Sequence, residues 1–296
     1  MKRVGIIANP NRPVVRELMP ELIQIIFSQS SRPVLSDSLA GMISADKLQD
    51  DRLMIVPTDE LSAQDVDWVI AIGGDGTLLK TARLVGTSGI PILGVNSGKL
   101  GFMMQTTPED LPNAVQRVFE GEYTLDKRQI LQGKIDNNSL NREDCDDRFF
   151  ALNDIVIDKG TICRVIELSI FVNGQFVNNV LADGLIVSTP TGSTAYSLAA
   201  GGPIVAPDME AIVVSPICPH TLSNRSMVLS AQDRIRIEVK ADHPDLLLTV
   251  DGQQNVAVQP GSAIEVYRAS HNIHLIRFTE CSFYDVLRTK LKWGER

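Results

Sequence analysis

Apolar residues recur along the chain with two different periods, and the period changes near residue 123. Before that point, short apolar runs typical of buried strands lie at 3–8, 68–72 and 91–95. Segments with apolar residues at helical spacing lie at 14–27, 77–85 and 111–118. Strands that alternate with helices predict βαβ units, so we expect an α/β domain with a mostly parallel sheet.

Beyond residue 123, helical spacing gives way to alternation of apolar and polar residues, which is the period of a half-buried strand. The alternation is clearest at 234–240 and briefer at 264–268. Turn signals between such strands lie at Asn173-Gly174, Asp251-Gly252 and Pro260-Gly261. This part of the chain is therefore predicted to be a mainly antiparallel β domain.

The same division predicts the domain organisation. We expect the α/β domain to span 1–123 and the β-rich domain to span 124–278. The polar and acidic segment 136–149 is expected to be an exposed loop. Residues 279–296 form a C-terminal segment with helical spacing at 281–292, and we expect it to pack back on the first domain.

Composition narrows the class of protein and its partners. With 44% hydrophobic and 22% charged residues, the chain has the balance of a soluble globular protein. Its net charge of -8 argues against nucleic acid and anionic membranes as partners. No apolar run approaches the roughly 18 residues of a membrane span. The first apolar run stops at Asn9-Pro10, which is too early for a secretory signal.

The cysteines and histidines show no metal-binding pattern. The four cysteines, at 145, 163, 218 and 281, form no CxxC pair, and the four histidines form no HExxH pattern. We therefore expect reduced thiols in a cytoplasmic protein, and we assign no metal-ligating residues.

The most informative segment is 73–77, Gly-Gly-Asp-Gly-Thr, which follows an apolar strand and opens a helix. Glycines let backbone N–H groups approach a ligand, and a helix N-terminus favours anions, so this loop suits a phosphate. Asp75 would repel a phosphate, which indicates a separate task such as holding a metal ion or accepting a proton. The alternative is a helix N-cap, because Asp accepts backbone N–H groups at that position.

Two further polar segments lie beside apolar strands. Residues 189–203 are rich in hydroxyl side chains, which suit a sugar, a phosphate or an amide. The alternative is a Ser/Thr-rich turn. Asn153-Asp154 interrupts an apolar strand, and a buried polar pair needs partners that a ligand can supply. The alternative for this pair is a bulge or turn at the edge of the strand.

Taken together and in this order, these motifs resemble those of the NAD kinases, which phosphorylate the 2′-hydroxyl of the adenosine ribose of NAD to make NADP. The resemblance covers most of the chain and rests on 73–77, 98–102, 153–154, 182–184, 189–203 and 219–222. The first motif also occurs in diacylglycerol and sphingosine kinases, whereas the hydroxyl-rich segment is more specific. The resemblance implies an active site between the two domains.

The resemblance also implies roles for individual residues. Asp75 would be the general base, a metal ligand or both, and Asn153 and Asp154 would hold ribose hydroxyls and adenine-side groups. The loop for the phosphate donor would comprise Gly73, Gly74, Gly76 and Thr77. The residues implied to bind NAD are Asp75, Gly76, Lys80, Asn153, Asp154, Arg164, Asp183, Thr194, Ala195, Tyr196, Ser197, Leu198, Ala199 and Gln253.

Cofactors and partners follow from the same resemblance. It implies a divalent metal ion such as Mg²⁺, ATP as the phosphoryl donor, and a homo-oligomer, either dimer or tetramer. Polyphosphate stays open as the donor, and NADH stays open as the acceptor. Two other functions stay open as well: a lipid kinase of the diacylglycerol type that shares the glycine loop, and a non-catalytic regulator that binds NAD(P).

Overall fold

The computed structural model describes residues 1–43, 50–98, 101–104, 106–136, 148–161, 164–279 and 282–294. The chain divides into two compact units. Unit 1 comprises Met1–Lys127 together with Ile273–Arg296, and unit 2 comprises Arg128–Asn272. Within the described ranges, no helix is long and apolar enough to cross a membrane.

The elements of unit 1 follow the predicted alternation of strands and helices. Its strands are β1 (Arg3–Ala8), β2 (Arg32–Ser36), β3 (Met54–Val56), β4 (Trp68–Gly73) and β5 (Ile92–Asn96). The first three α-helices among the described residues are α1 (Pro13–Ser28), α2 (Asp75–Val85) and α3 (Leu111–Glu120). The short helix α4 (Tyr196–Ala199) belongs to unit 2, and α5 (Phe283–Leu291) returns to unit 1.

The remaining strands lie in unit 2 or at its borders. They are β6 (Thr124–Asp136), β7 (Arg148–Ala151), β8 (Asp154–Asp158), β9 (Ile166–Val172), β10 (Gln175–Ala182), β11 (Gly184–Ser188), β12 (Ala211–Ile217), β13 (Met227–Ser230), β14 (Ile235–Lys240), β15 (Leu246–Val250), β16 (Gln254–Val258) and β17 (Ala263–Arg277). Within the segment 136–149, expected to be a loop, Asp136 ends β6 and residues 148–149 begin β7. The expectation was wrong at these ends, and 137–147 lie outside the described residues.

The sheet of unit 1 is parallel, with strand order β3-β2-β1-β4-β5. The final residues of β17 continue it beside β5, where Leu275 pairs with Ile92. From β1 the chain moves outward to β3 and then crosses to β4 on the other side. Ligands of open parallel sheets bind beyond the carboxyl ends of the strands where this order reverses. The glycine loop at 73–77 follows β4 at that position.

The helices of unit 1 form because each has an apolar face for the sheet. Helix α1 buries a set of side chains at helical spacing: Val15, Met19, Leu22, Ile23 and Ile26. These side chains share one core cluster with residues of β1, β4 and β5. Helix α5 begins with a capping box, in which the Ser282 hydroxyl accepts the N–H of Asp285. The C-terminal helix predicted from its spacing is therefore confirmed.

Unit 2 is built from two antiparallel sheets. One has the order β10-β9-β14-β17, and the other has the order β13-β12-β11-β8-β15-β16. A single apolar cluster takes side chains from both, including Leu168 and Ile237 from the first and Ile157 and Val187 from the second. The two sheets therefore pack face to face. The fold class predicted from the sequence is confirmed: a mostly parallel α/β part and a mainly antiparallel β part.

Candidate active site

The glycine loop carries Asp75 at the start of α2, but the residue does not cap the helix. The N-cap is Gly74, without a side-chain hydrogen bond to the first turn. Asp75 is the first helical residue, and its carboxylate accepts the N–H of Phe102 at 3.2 Å and that of Met103 at 3.3 Å. The capping alternative is therefore wrong, because the carboxylate bonds to the following glycine-rich segment and not to its own helix.

Two glycines are required where they stand because neighbouring side chains occupy the space of a Cβ atom. A Cβ on Gly73 would overlap the side chain of Thr77, and a Cβ on Gly101 would overlap the carboxylate of Asp75. The carbonyl of Gly73 accepts the Ser97 N–H at 2.7 Å, which ties the end of β4 to the segment after β5. The loop and the carboxylate therefore have a fixed relative position within unit 1.

The exposed side of the loop suits an anion. Gly76 and Lys80 are exposed on the first turns of α2, and Asp75 is half-buried. The dipole of an α-helix favours an anion at its N-terminus. Asp75 keeps carboxylate lone pairs beyond the two N–H groups that it accepts. Lys99 and Leu100 lie outside the described residues.

In unit 2, the Asn153-Asp154 pair lies at the entrance to β8, which begins at Asp154, so it does not interrupt the strand. Both residues are buried, with exposed fractions of 9% for Asn153 and 4% for Asp154. The Oδ1 atom of Asn153 has no hydrogen-bond partner among the described residues. A buried polar atom without a partner is costly, and a bound ligand with a donor group removes that cost.

The carboxyl of Asp154 is in an unusual environment. Burial and, secondarily, the negative charge of Asp251 raise its pKa from 3.8 to about 7. Asp154 is therefore partly protonated near neutral pH and offers either a donor or an acceptor to a ligand hydroxyl.

Asp251 was missed as a site residue in the sequence, where Asp251-Gly252 reads only as a turn. Its carboxylate accepts three consecutive backbone N–H groups, from Leu152 at 3.0 Å, Asn153 at 2.7 Å and Asp154 at 3.1 Å. Its own N–H donates to the carbonyl of Asp154 at 2.9 Å. Asp251 has φ 52°, a left-handed conformation that Asp tolerates better than most residues. This φ value could not be read from the sequence.

The hydroxyl-rich segment holds the same pair from the other side. The N–H of Thr189 donates to the carbonyl of Asn153 at 2.8 Å, and its hydroxyl donates to the carbonyl of Leu152 at 2.6 Å. A Cβ on Gly192 would overlap that Asn153 carbonyl. Much of the segment's hydroxyl content is therefore structural, as the turn alternative expected: Thr194 donates to the Thr191 carbonyl.

A cavity of about 350 Å³ in unit 2 brings part of the predicted set together. Its lining residues are Asn153, Asp154, Val156, Asp158, Ala195, Tyr196, Thr249, Asp251 and Gly252. Tyr196 is 47% exposed. Its pKa is raised, first by partial burial and then by the acidic groups of Asp158, Cys218, Asp154 and Asp183. The cavity therefore combines apolar surface with several carboxylates and a phenol, a lining suited to a polar, uncharged ring such as a ribose.

The other predicted residues of unit 2 do not line this cavity. Ser197 is buried with its hydroxyl 3.2 Å from that of Ser215. Asp183 accepts from the ammonium of Lys159 at 2.7 Å. Arg164 and Gln253 are exposed. Also outside the lining set are Thr194, Leu198 and Ala199.

Metal and thiol chemistry add little to this picture. In the part of the chain that the structure describes, no group of three or more His, Cys, Asp or Glu side chains could hold a metal ion. Cys218 is a free, exposed thiol, and the other three cysteines lie outside the described residues.

Two protein-family models match the chain. Residues 4–123 match the ATP-NAD kinase N-terminal domain, and residues 152–278 match the ATP-NAD kinase C-terminal domain. An NAD kinase of Caldanaerobacter subterraneus is 39% identical over 98% of this chain and 99% of its own length.

Two solved structures have a similar fold. Yeast NADH kinase complexed with NADH is 28% identical with a TM-score of 0.91, covering 100% of this chain and 89% of the other. An NAD kinase from Archaeoglobus fulgidus in complex with ATP shares the fold, with a TM-score of 0.76 at 21% identity and 98% coverage of both chains. From the two family models and the full-length relative, the chain belongs to the ATP-NAD kinase family.

Proposed function

We propose that this protein is an NAD kinase, which transfers a phosphoryl group from ATP to the 2′-hydroxyl of the adenosine ribose of NAD. The observation that carries the proposal is the seating of Asp75. A half-buried carboxylate stands at the N-terminus of α2, fixed by two backbone N–H groups, with lone pairs left for a proton. A loop that only binds a phosphate has no need of a fixed carboxylate.

In this proposal, Asp75 accepts the proton of the ribose 2′-hydroxyl as its oxygen attacks the γ-phosphorus of ATP. The bond between that phosphorus and the β,γ-bridging oxygen breaks, and ADP leaves. General-base assistance of this kind typically accelerates a reaction by roughly 10²–10⁴-fold. The donor phosphates lie on Gly73, Gly74, Gly76 and Thr77, at the N-terminus of α2, where the helix dipole favours an anion. Phosphoryl transfer depends chiefly on alignment and charge neutralisation, which a fixed loop supplies.

The acceptor nucleotide is held by residues of unit 2. Asn153 and Asp154 bind ribose hydroxyls, with the Asn153 Oδ1 atom accepting from the ligand. Ala195 and Tyr196 line the same cavity and contact the dinucleotide, as does the neighbouring Thr194. Asp183 lies on the nicotinamide side. The proposed reaction therefore needs residues of both units.

The proposal also assigns NAD contacts to residues that do not line the cavity. They are Lys80 on α2 and the unit 2 residues Arg164, Ser197, Leu198, Ala199 and Gln253.

A magnesium ion fits this arrangement as a companion of the donor. The described residues supply no cage of three acidic or imidazole ligands, and Mg²⁺ in kinases is commonly held by one or two carboxylates together with substrate phosphates. Asp75 is the carboxylate available at the loop. When bound, the ion would neutralise charge on the phosphates. A cytoplasmic location and a homo-oligomeric state stay predictions.

The test is an assay for NADP formation by the purified full chain with Mg²⁺. NAD or NADH is paired with ATP or polyphosphate in four arms, a fifth arm supplies diacylglycerol with ATP, and NAD binding is measured separately. We expect turnover with NAD and ATP. Phosphorylation of diacylglycerol without NADP formation would establish the lipid kinase, and NAD binding without turnover would establish the regulator. The relatives reported above carry kinase names specific to NAD or NADH, so neither alternative is supported by them.

A further inference from the structure

We infer that Asp251 is a positioning residue for the acceptor nucleotide, which sets the Asn153-Asp154 pair in its binding geometry before the nucleotide arrives. The inference rests on the proposed function and extends it to a residue outside the predicted site. Asp251 would act through the backbone of its neighbours.

The carboxylate of Asp251 accepts three consecutive backbone N–H groups. Its Oδ1 atom accepts the N–H of Asn153 at 2.7 Å and of Asp154 at 3.1 Å, and its Oδ2 atom accepts the N–H of Leu152 at 3.0 Å. Three peptide groups in a row are thus oriented by one side chain. Because the side chains of Asn153 and Asp154 leave this backbone, its position determines where their polar atoms lie in the cavity.

The turn that contains Asp251 sets the position of its carboxylate. Asp251 and Gly252 have φ 52° and 64°, and they connect β15 to β16. Strand β15 pairs with β8, which begins at Asp154, so the turn lies beside the segment that it holds. The left-handed conformation at a residue other than glycine costs energy, and the three hydrogen bonds offset that cost.

Thr189 binds the segment 152–154 through its carbonyl groups, on the side opposite Asp251. Thr189 donates to the carbonyls of Leu152 and Asn153, while Asp251 accepts their N–H groups. The peptide groups are therefore fixed on both sides, and the buried Oδ1 atom of Asn153 is left for a ligand. An arrangement fixed in advance lowers the cost of ordering on binding.

The electrostatic surroundings support the same inference. The negative charge of Asp251 adds to burial in raising the pKa of Asp154. The other titratable groups of this region are Tyr196, whose pKa is raised first by partial burial, and Asp158, Asp183 and Cys218, which raise it further together with Asp154. Removing the charge of Asp251 is therefore expected to lower the titration midpoint of Asp154.

The test compares Asp251→Asn and Asp251→Gly with Asp233→Asn. Asn suits the left-handed conformation but presents an NH₂ group to one of the N–H donors, whereas Gly relaxes the backbone and removes all three side-chain hydrogen bonds. Asp233 is the matched control. Its carboxylate also accepts a backbone N–H in a turn of unit 2, from Ser230 at 3.0 Å, and it does not line the cavity.

We expect kcat/KM for NAD to fall about tenfold or more in both Asp251 variants, because small displacements of positioned groups have effects of this size. Amide hydrogen exchange at Leu152, Asn153 and Asp154 should become at least about tenfold faster, consistent with loss of a charged acceptor. The carboxyl of Asp154, followed by ¹³C NMR, should titrate at lower pH in Asp251→Asn. Asp233→Asn should change none of these readouts.

Folded Asp251 variants with wild-type kcat/KM and wild-type exchange at these amides would overturn the inference. So would a loss of thermal stability equal to that of Asp233→Asn with unchanged NAD kinetics. If neither variant folds, exchange is measured in the wild type with and without NAD. Amides protected already in the free protein support the inference, and amides protected only with NAD contradict it. Exchange and titration need no turnover, so they stay informative if the proposed function fails.

Discussion

The two carboxylates at the centre of the proposed reaction, Asp75 and Asp154, lie in contrasting environments. Asp75 is half-buried and accepts two backbone N–H groups from the segment after β5. Asp154 is 4% exposed, and the N–H groups around it are accepted by Asp251. The first arrangement fixes the orientation of a carboxylate and leaves it lone pairs for a proton. The second favours a carboxyl that keeps its proton, which suits hydrogen bonding to a ribose.

The contrast extends to the glycines next to each group. Gly101 leaves room for the side chain of Asp75, whereas Gly192 leaves room for the backbone carbonyl of Asn153. In unit 1 the local fold therefore positions the side chain that is proposed to act as the base, and in unit 2 it positions a peptide segment. A substitution at Gly101 should therefore change mainly kcat, and a substitution at Gly192 should change mainly KM for NAD.

The largest effect is expected from Asp75→Asn, which removes the proposed base and keeps the shape of the side chain. We expect kcat for NADP formation to fall by roughly 10²–10⁴-fold. The melting temperature is measured in parallel to establish that the variant is folded. Near wild-type NADP formation by folded Asp75→Asn would show that this residue is not the base.

The second-largest effect is expected on the free energy of unfolding, which depends on pH through the titration of Asp154. Its pKa is raised when folded, so the unfolded chain binds fewer protons between pH 3.8 and about 7, and stability falls as pH rises through that window. Asp154→Asn removes this loss. The gain is the free energy of unfolding of Asp154→Asn minus that of the wild type. It should be about 2–3 kcal/mol larger at pH 8 than at pH 5.

Denaturant unfolding of both proteins at the two pH values measures this difference. A gain that is the same at pH 5 and pH 8 would contradict the raised pKa. The same substitution should weaken NAD binding, because the ribose loses a partner that the proposal assigns to Asp154.

A smaller effect is expected from Gly192→Ala. The new Cβ would overlap the carbonyl of Asn153 and force the backbone to move. Overpacking of this kind costs about 1–3 kcal/mol, and the displaced pair should raise KM for NAD more than it lowers kcat. Thermal unfolding and steady-state kinetics measure the two effects. A change in kcat alone would mean that Gly192 does not act through the acceptor site.

The smallest effect is expected from Gly101→Ala, where the new Cβ would overlap the carboxylate of Asp75. A side chain can move aside more readily than a backbone, so we expect kcat to fall about tenfold with KM for NAD little changed. Gly98→Ala, in the same segment 98–102 as Gly101, is the matched comparison, because its Cβ would meet no atom within 4 Å. Equal losses in the two variants would argue against a clash with Asp75.

Local sequence patterns predicted most of the fold. The helical spacing of α1 and the apolar runs of β1, β4 and β5 were sufficient, since each element buries one periodic face. Strands β2 and β3 were not predicted. Strand β2 contains Pro33, and β3 has only three residues, so neither shows a clear period. They are strands because the neighbouring edge of a parallel sheet offers them backbone partners.

The chain's own residues determined the alternation of strands and helices, the change to antiparallel structure, and the glycine loop with its acid, because these depend on neighbours in sequence. The tertiary structure decided which groups Asp75 and Asp251 bind. Asp75 is bonded to residues 27 and 28 positions away, and Asp251 to residues 97 to 99 positions away. Contacts at such separations are set by sheet pairing, which leaves no local pattern in the sequence.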